Sequence, residues 1–474
     1  MCGCILAASL LRLHAGYRPR LPLEHSNVAY SLATGTGYSN PFGVNSGPTA
    51  WVPPGIPFLY AGAIRLAHAL RIDESATIAG LNCLASAAAV FLMLRFTLAG
   101  WRPRSSAAFC AAFLAYGILD PDFLTDAGPL TAAASALLLA GLASAARHPG
   151  GRAPWAMLFA SNALLAAIHP GLALAGTLAS IGVGFAASRT REGKPVALMA
   201  SAAFAAVAGI ASVTVPWTLR NYLVFHQLIP SKSNGCFELV LSQKETDDGV
   251  LSEASLMVGH PSTNPRLLSK YAALGESAFL EPYRREAAEI LTADFRRYLM
   301  FSLNRFFNAV CLSRSPDDIA MVSVNLTPAE AARLVGQRTI IMCAGTPNFF
   351  WPTNEVSEQV ELASFNSAGI EDPDTLLADW ERAQMSIRSR TGGATAWIRG
   401  FAWSGFPTLC CAASLIIARR STPRLVLAAA AIYLVALIPN VLITHDMRHQ
   451  GSFMLLFAVI VAGVFESLAR HTHG

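Results

Sequence analysis

The sequence predicts an all-α polytopic membrane protein, and its composition supports that class in three ways. Of the 474 residues, 53% are hydrophobic and only 14% are charged, and the mean hydropathy is +0.43. Soluble domains carry roughly a quarter charged residues, so about half of the usual solvating charge is missing here. The net charge of +5 is mild and no basic stripe is present, which excludes a nucleic-acid-binding protein.

Long apolar runs predict the membrane helices in chain order. They occupy roughly residues 75–98, 105–119, 128–146, 154–168, 171–188, 196–218, 396–418, 423–442 and 450–468. Several are shorter than the ~20 residues that cross a bilayer without tilt, and the expected fold is a bundle of about nine to eleven spans. Residues 1–11 are apolar but too few to span, so either the first helix is a stub or the true start lies upstream.

Basic residues between these runs predict the orientation of the bundle. They come directly after those apolar runs that end on one particular side of the membrane, as at Arg102, Arg147, Arg189 and Arg419. Placing this side in the cytoplasm satisfies the positive-inside rule. The opposite side then carries the outer loop 12–74, the acidic loop at 120–126, the polar stretch 219–395 and the short loop 444–450.

Residues 54–71 are predicted to lie against the outer membrane surface as a juxtamembrane helix. If this segment crossed the membrane, the loop at 12–53 would fall on the same side as the basic loops. The segment also follows Trp51 and two prolines and carries Arg65 and His68. Both observations favour a helix that does not span.

The first outer loop combines a carboxylate with a motif rich in glycine and aromatic residues. Residues 24–42 read E-H-S-N-V-A-Y-S-L-A-T-G-T-G-Y-S-N-P-F, and residues 47–54 read G-P-T-A-W-V-P-P. A short helix that begins near Glu24 is predicted to end at Gly35 and Gly37. Glu24 then lies at the positive helix end, which favours a carboxylate. A first-turn acid without a further role is the alternative.

A second motif begins at the end of the sixth apolar run and continues beyond it. It reads P-W-T-L-R-N-Y-L-V-F at 216–225 and I-P-S-K-S-N-G at 229–235. Arg220 falls at the outer end of that run and is predicted to face outward. A guanidinium suits phosphate because it offers several donors in a rigid plane and stays charged. The alternative for Arg220 and Lys232 is simple anchoring at lipid headgroups.

Two more outer loops carry candidate site residues. The segment D-P-D-F-L-T-D at 120–126 contains Asp122 and Asp126, whose oxygens could gather a divalent cation. Plain solvation of a loop is the alternative. The segment T-H-D-M-R-H at 444–449 contains Arg448, a candidate phosphate contact, with interfacial anchoring as the alternative.

Taken together, these motifs resemble GT-C-fold glycosyltransferases. They are more closely similar to bacterial members of the dolichyl-phosphate-mannose protein mannosyltransferase and aminoarabinose-transferase-like group (glycosyltransferase family 39-like). His260-Pro261, Asn264-Pro265 and Gly275-Glu276 continue the likeness. The resemblance implies inverting transfer of a sugar from a polyprenyl-phosphate-linked donor to a lipid, glycan or protein acceptor.

The resemblance also implies roles for individual residues. Glu24 is the expected base and Asp126 a second catalytic acid. Arg220, Lys232 and Arg448 are the expected contacts of the donor phosphate. Many members have Asp-Glu where this chain has Glu24-His25, a departure that bears more on metal binding than on the base. His25 and Asp122 are the candidate metal or acceptor ligands. No cofactor is predicted with certainty, and a divalent metal is left open.

On this interpretation the chain has three parts. Residues 1–218 form a transmembrane catalytic module with the outer loop 12–74, residues 219–395 form a mixed extracytoplasmic region, and residues 396–474 form C-terminal membrane helices. Whether the apolar patch at 336–351 dips into the membrane is left open. The expected location is the bacterial inner membrane, with the active site on the periplasmic or outer face.

Two other interpretations stay open. One is a transporter or lipid flippase without chemistry, which is expected to carry inverted repeats and charged residues at the membrane centre. Neither mark is evident in the sequence. The other is a degenerate, inactive transferase, which the short first helix and the Glu24-His25 pair would allow. Nucleotide hydrolysis and nucleotide-sugar binding have no support, because no glycine motif for phosphate binding is present.

Overall fold

The protein is described by a computed structural model. It covers residues 23–43, 45–119, 128–190, 195–244, 246, 249–251, 259–262, 264–311, 323–324, 387–388, 401, 405–417, 424–443 and 452–471. Within these ranges the chain is almost entirely helical. The strands described there, β1 (Ser323–Val324) and β2 (Ile387–Arg388), form one short antiparallel pair. The predicted all-α class is confirmed at this level.

The helices follow the predicted runs closely. Before the polar stretch they are α1 (Leu23–Ala33), α2 (Gly55–Leu70), α3 (Glu74–Leu92), α4 (Pro103–Leu119), α5 (Gly128–Arg147), α6 (Arg152–Ile168), α7 (Pro170–Thr190) and α8 (Pro195–Phe225). After it they are α9 (Gly235–Lys244), α10 (Pro265–Ala293), α11 (Phe295–Val310), α12 (Phe406–Ile417), α13 (Arg424–Leu442) and α14 (Met454–His471). A π-helical turn at Met93–Thr97 extends α3.

Among the described residues, four helical segments are long and apolar enough to cross a membrane. They are Glu74–Thr97, Gly128–Arg147, Val196–Phe225 and Leu425–Leu442. Two shorter apolar helices, Pro170–Ala186 and Met454–Leu468, accompany them. These segments indicate a membrane protein, as the composition predicts. The total number of spans stays a prediction, and the apolar patches at 1–11 and 336–351 lie outside the described residues.

Small residues let the membrane helices approach closely. α8 packs against α6 and α7, and α5 packs against α6. A side chain added at Gly209 of α8 would overlap the backbone of Phe159 in α6. One added at Gly184 of α7 would lie 2.5 Å from the Cβ atom of Ala202. Close backbone approach at small residues is the usual way in which helices associate in lipid.

The two ends of the helix bundle differ in character. At one end, the Arg147 guanidinium donates to the carbonyl of Phe96, and the backbone N–H of Arg102 donates to Glu466 at 3.1 Å. At the other end, α1 and α2 pack with the start of α5 and the end of α6 in one apolar cluster (Ala29, Ile56, Leu130 and Ile168 among its members). The basic segments at Arg102 and Arg147 therefore lie away from α1 and α2, as the predicted grouping requires.

The helix α8 extends beyond its predicted end at residue 218. It continues to Phe225 through Pro216, which lacks a backbone N–H and leaves one carbonyl of the preceding turn without its usual partner. The added turns are held by the chain that folds back beside them. The Trp217 indole N–H donates to the carbonyl of Ser231 at 2.7 Å, and the Asn221 amide donates to that of Ile229 at 2.8 Å.

Candidate functional site

A compact polar and aromatic region caps the α1 end of the bundle. We call it the head module and define it as α1, the loop 34–54, the described residues of 226–251 and 259–264, and α10. Its centre is a set of aromatic rings in edge-to-face or tilted contact, namely Phe42, Trp51, Phe237, Tyr271 and Phe279. Aromatic pairs of this kind bury much surface and fix ring orientation, so they give the site a rigid base.

The loop after α1 is fixed by its own motif residues. Gly35 and Gly37 have φ values of +87° and +86° and end the helix, as predicted. Tyr38 then turns inward, and its hydroxyl donates to the carbonyls of Val52 and Pro53 at 2.9 and 3.1 Å. The two parts of the first motif, residues 24–42 and 47–54, are thereby joined into one folded unit.

Glu276 is the deepest carboxyl group of the head module. Its oxygens accept hydrogen bonds from the hydroxyl of Thr49, from the backbone N–H of Ala50 at 2.8 Å and from the hydroxyl of Tyr271 at 2.8 Å. Burial raises its pKa although these donors act in the opposite direction. With its oxygens occupied and its side chain enclosed, Glu276 holds the first-loop motif onto α10 and is a poor candidate for contact with substrate.

Glu24 has the opposite character, because its carboxylate is partly open to solvent. It lies in the first turn of α1, as predicted, and its side chain is 25% exposed. Its Oε1 atom is 3.7 Å from the Nε2 atom of His260. That distance is longer than a direct hydrogen bond and short enough for an ion pair when the imidazole is protonated.

His260 is held in one orientation by its other nitrogen. The backbone N–H of Ser262 donates to Nδ1 at 3.2 Å, and the Ser262 hydroxyl lies 2.6 Å from the same atom. In the neutral ring, an acceptor at Nδ1 places the proton on Nε2, the atom that faces Glu24. The rings of Phe42, Trp51 and Phe237 surround the imidazole edge-on. His260 is therefore a fixed N–H donor directed at a partly open carboxylate.

His25 follows Glu24 and points into the protein. Its Nδ1 atom is buried and has no hydrogen-bond partner among the described residues. Burial lowers the pKa of His25 to about 4, an effect that the charge of Lys232 reinforces and that of Glu24 opposes. At neutral pH the ring is uncharged, which is the form that can bind a metal, so the candidate role predicted for His25 stays chemically open.

The lowered pKa of His25 predicts an acid-sensitive head module. A folded-state value of about 4, below the ordinary 6.5, means that this contribution to stability is present above pH 6.5 and is lost as the pH falls towards 4. In His25→Gln this pH-dependent loss should be absent. The midpoint of thermal unfolding, measured from pH 7 to pH 4, checks it. His148→Gln, at an exposed histidine, is the control and should lose stability with acid as the wild type does.

Arg220 lies at the junction between α8 and the head module. Its guanidinium donates to the backbone carbonyls of Thr49 and Tyr38 at 2.7 and 3.0 Å and to the Asn221 side chain at 2.8 Å. It also lies over the rings of Tyr38, Trp217 and Phe225. These bonds use three of its five N–H donors, so Arg220 secures the first loop whether or not it also meets a phosphate. Its predicted phosphate role stays a prediction.

Lys232 also has a partner within the protein. Its Nζ atom is 2.9 and 3.0 Å from the two carboxylate oxygens of Glu238, and Asn234 donates to the same carboxylate at 2.8 Å. The lysine is close enough to His25 for its charge to lower the pKa of that imidazole. Lys232 therefore lies near the Glu24–His25 pair, and any phosphate would compete with Glu238 for its charge.

The remaining predicted site residues lie outside the described part of the chain. They are Asp122, Asp126 and Arg448. The described residues beside them lie close to the head module. Leu130 of α5 shares an apolar cluster with Ala29 of α1, and the carbonyl of Ile443 accepts a hydrogen bond from Ser242 of α9 at 2.8 Å.

In the part of the chain that the structure describes, no group of three or more His, Cys, Asp or Glu side chains could hold a metal ion. Glu24 and His260 form a pair, and a pair alone is an incomplete set of ligands for the usual protein sites. The described residues alone therefore do not form a complete metal site.

Comparisons of the chain with known family models, with curated proteins and with solved structures gave no match. The family resemblance consequently depends on the motifs themselves. The geometry adds two residues whose roles the motifs did not reveal, His260 beside Glu24 and Glu276 beneath Thr49. Both lie in short pairs, His-Pro and Gly-Glu, that continue the likeness, but nothing in their local sequence indicates the partner that each one meets.

Proposed function

We propose that the protein is a membrane glycosyltransferase that transfers a sugar from a polyprenyl-phosphate-linked donor to an acceptor on the outer face of a membrane. The observation that carries this proposal is the partly open Glu24 carboxylate, held opposite the fixed imidazole of His260 at the end of a membrane helix bundle. The motif resemblance supplies the reaction class. The architecture suits the donor, whose tail stays in lipid while its sugar phosphate reaches water.

In the proposed reaction Glu24 is the general base. The acceptor hydroxyl attacks the anomeric carbon, its proton passes to the Glu24 carboxylate, and the bond from that carbon to the phosphate oxygen breaks. The polyprenyl phosphate leaves with the bonding electron pair, and the anomeric configuration inverts. Basic side chains near the phosphate favour this step because the leaving oxygen gains charge as the bond breaks. Arg220, Lys232 and Arg448 are the candidates.

Two features of the described residues support a single site at the head module. The flanks of the acidic loop and of the Arg448 loop both lie against it, through Leu130 and Ile443. In addition, the charged residues of the four candidate spans lie in or near their terminal turns, as Glu74, Arg95, Arg147 and Arg220 do. A transporter is expected to carry ionisable groups near the membrane centre instead.

The proposed location is the bacterial inner membrane with the head module outside. The positive-inside rule places basic segments in the cytoplasm, and Arg102 and Arg147 belong to the end of the bundle that lies away from α1 and α2. Partners on this proposal are the lipid-linked donor, a lipid, glycan or protein acceptor, and the surrounding membrane lipids.

A transfer assay with the purified full-length protein in lipid vesicles tests the proposal. Polyprenyl-phosphate-linked mannose and aminoarabinose are supplied in parallel, with a crude cell-envelope extract as the source of acceptors. A sugar that becomes covalently attached to an envelope component supports a transferase. A sugar lipid that merely changes leaflet, without a new glycosidic bond, indicates a flippase and rejects the proposal.

His260 is expected to position Glu24 rather than to react itself. His260→Ala removes the N–H that faces the carboxylate and should lower kcat by about tenfold, because the carboxylate loses a polar group that orients it. KM for the donor should change little. His260→Gln returns an N–H donor and should recover part of kcat. A parallel loss of kcat and folded protein in both variants would instead indicate a purely structural residue.

A further inference from the structure

The helix α11 carries its large apolar side chains on the outside of the protein. The exposed ones are Phe295, Leu299, Met300, Leu303, Phe306 and Phe307. They recur at intervals of one helical turn, so they lie along one side of the helix. Met300 and Phe307 are 59% and 58% exposed. An apolar strip of this length is unusual on a surface that faces water.

The buried side of α11 carries a charged residue, Arg305, beside Ser302, Ala309 and Val310. Arg305 is 0% exposed, and its guanidinium donates to the carbonyls of Val441 and Gly249 at 2.7 and 3.2 Å. It also donates to the hydroxyls of Ser242 and Ser302 at 3.2 and 3.0 Å. Burial lowers the pKa of Arg305 to about 10, which leaves the group charged at neutral pH. A helix that buries a charged side chain and exposes aromatic and aliphatic side chains is suited to an apolar environment such as lipid.

The helix α11 lies beside a candidate membrane span. α11 packs against α13, and Arg305 reaches the carbonyls of Val441 and Leu442 at the end of that span. The exposed face of α13 carries Leu434, Ile438 and Leu442. α11 therefore lies beside a span whose exposed side chains would face lipid.

We propose that α11 lies in the interface of the lipid bilayer, with its apolar strip among the acyl chains. The exposed Arg296, in the first turn of the helix, is placed to meet lipid phosphates. The Arg305 guanidinium joins the same helix by hydrogen bonds to the end of α13 and to Ser242 of α9. The membrane surface thus fixes the height of the head module above the bilayer. This inference depends on the membrane location and not on sugar transfer.

Fluorescence quenching in bilayers tests the placement of α11. Leu303→Trp is made in the full-length protein and reconstituted in phosphatidylcholine that carries bromine in the middle of its acyl chains. The emission of the eight native tryptophans is subtracted with the wild type. Most of the added emission should be lost in brominated lipid and retained with aqueous iodide. Glu289→Trp, on an exposed position of α10, is the control and should show the reverse.

Each other outcome overturns the proposal. If iodide quenches the tryptophan at position 303, this face lies in water. If neither quencher reaches it, protein covers the face, as in contact with a second copy of the chain. Met300→Trp, at the most exposed large residue of the strip, provides the same readout if Leu303→Trp does not fold.

Discussion

Glu24→Gln is expected to abolish sugar transfer while the protein still folds and inserts into the membrane. Glutamine keeps the size of the side chain but cannot accept the proton of the acceptor hydroxyl. Loss of a general base lowers rates by about a hundred- to ten-thousand-fold. Because Glu24 is partly exposed and its contact with His260 is 3.7 Å long, little stability should be lost. The rate of transfer in vesicles and the midpoint of thermal unfolding are the two measurements.

The matched control is Glu281→Gln. Glu281 is a surface carboxylate of α10, where it meets Arg284 and Arg285. Exposed ion pairs of this kind contribute about 0–1 kcal/mol. This variant should keep both its transfer rate and its unfolding midpoint. Transfer by Glu24→Gln at the wild-type rate would refute the assignment of the base.

Glu276→Ala is expected to have the largest effect on stability in the head module. The substitution leaves the hydroxyls of Thr49 and Tyr271 and the backbone N–H of Ala50 without their buried acceptor. Each unpaired buried group costs about 1–3 kcal/mol, so the loss should be several kcal/mol. Thermal unfolding or limited proteolysis of the purified protein measures it. Glu281→Ala on the same helix should change stability by less than about 1 kcal/mol, and equal losses would argue against a central role for Glu276.

Glu276 also predicts a pH dependence that Glu276→Gln should remove. Burial raises the folded-state pKa of this carboxyl above its ordinary value of 4.5. The protonated form is therefore favoured in the folded state. Its contribution to stability is fully present below pH 4.5 and is lost as the pH rises through the raised folded-state value. The stability of the wild type relative to Glu276→Gln should consequently fall from pH 4.5 upward, and a pH-independent difference would contradict this account.

Much of the fold follows from local sequence. Apolar runs and their flanking polar residues predict α3 to α8 and α12 to α14, because a membrane helix requires a long, continuous apolar stretch of sequence. Gly35 and Gly37 mark the end of α1 because their positive φ values suit glycine. The apolar run does not predict the extension of α8 past residue 218, because long-range contacts of Trp217 and Asn221 stabilise turns that the local sequence does not favour.

Less of the candidate site follows from the sequence. The motif predicts Glu24 at the start of α1, where the structure places it. It does not predict that His260 faces this carboxylate or that Glu276 lies under Thr49, which is 227 positions away. Arg220 was predicted to face a phosphate, yet its described hydrogen bonds to the head module go to the carbonyls of Thr49 and Tyr38. Such pairings form only when distant segments fold together, so no local pattern records them.

Mass analysis of cell-envelope glycans tests the central claim most directly. Envelopes are compared from cells that carry the wild-type gene, cells that carry Glu24→Gln, and cells that lack the gene. A sugar-modified envelope component is expected with the wild type alone, although Glu24→Gln should reach the membrane in equal amount. Identical glycans with the wild-type gene and without it would contradict the assignment as a glycosyltransferase.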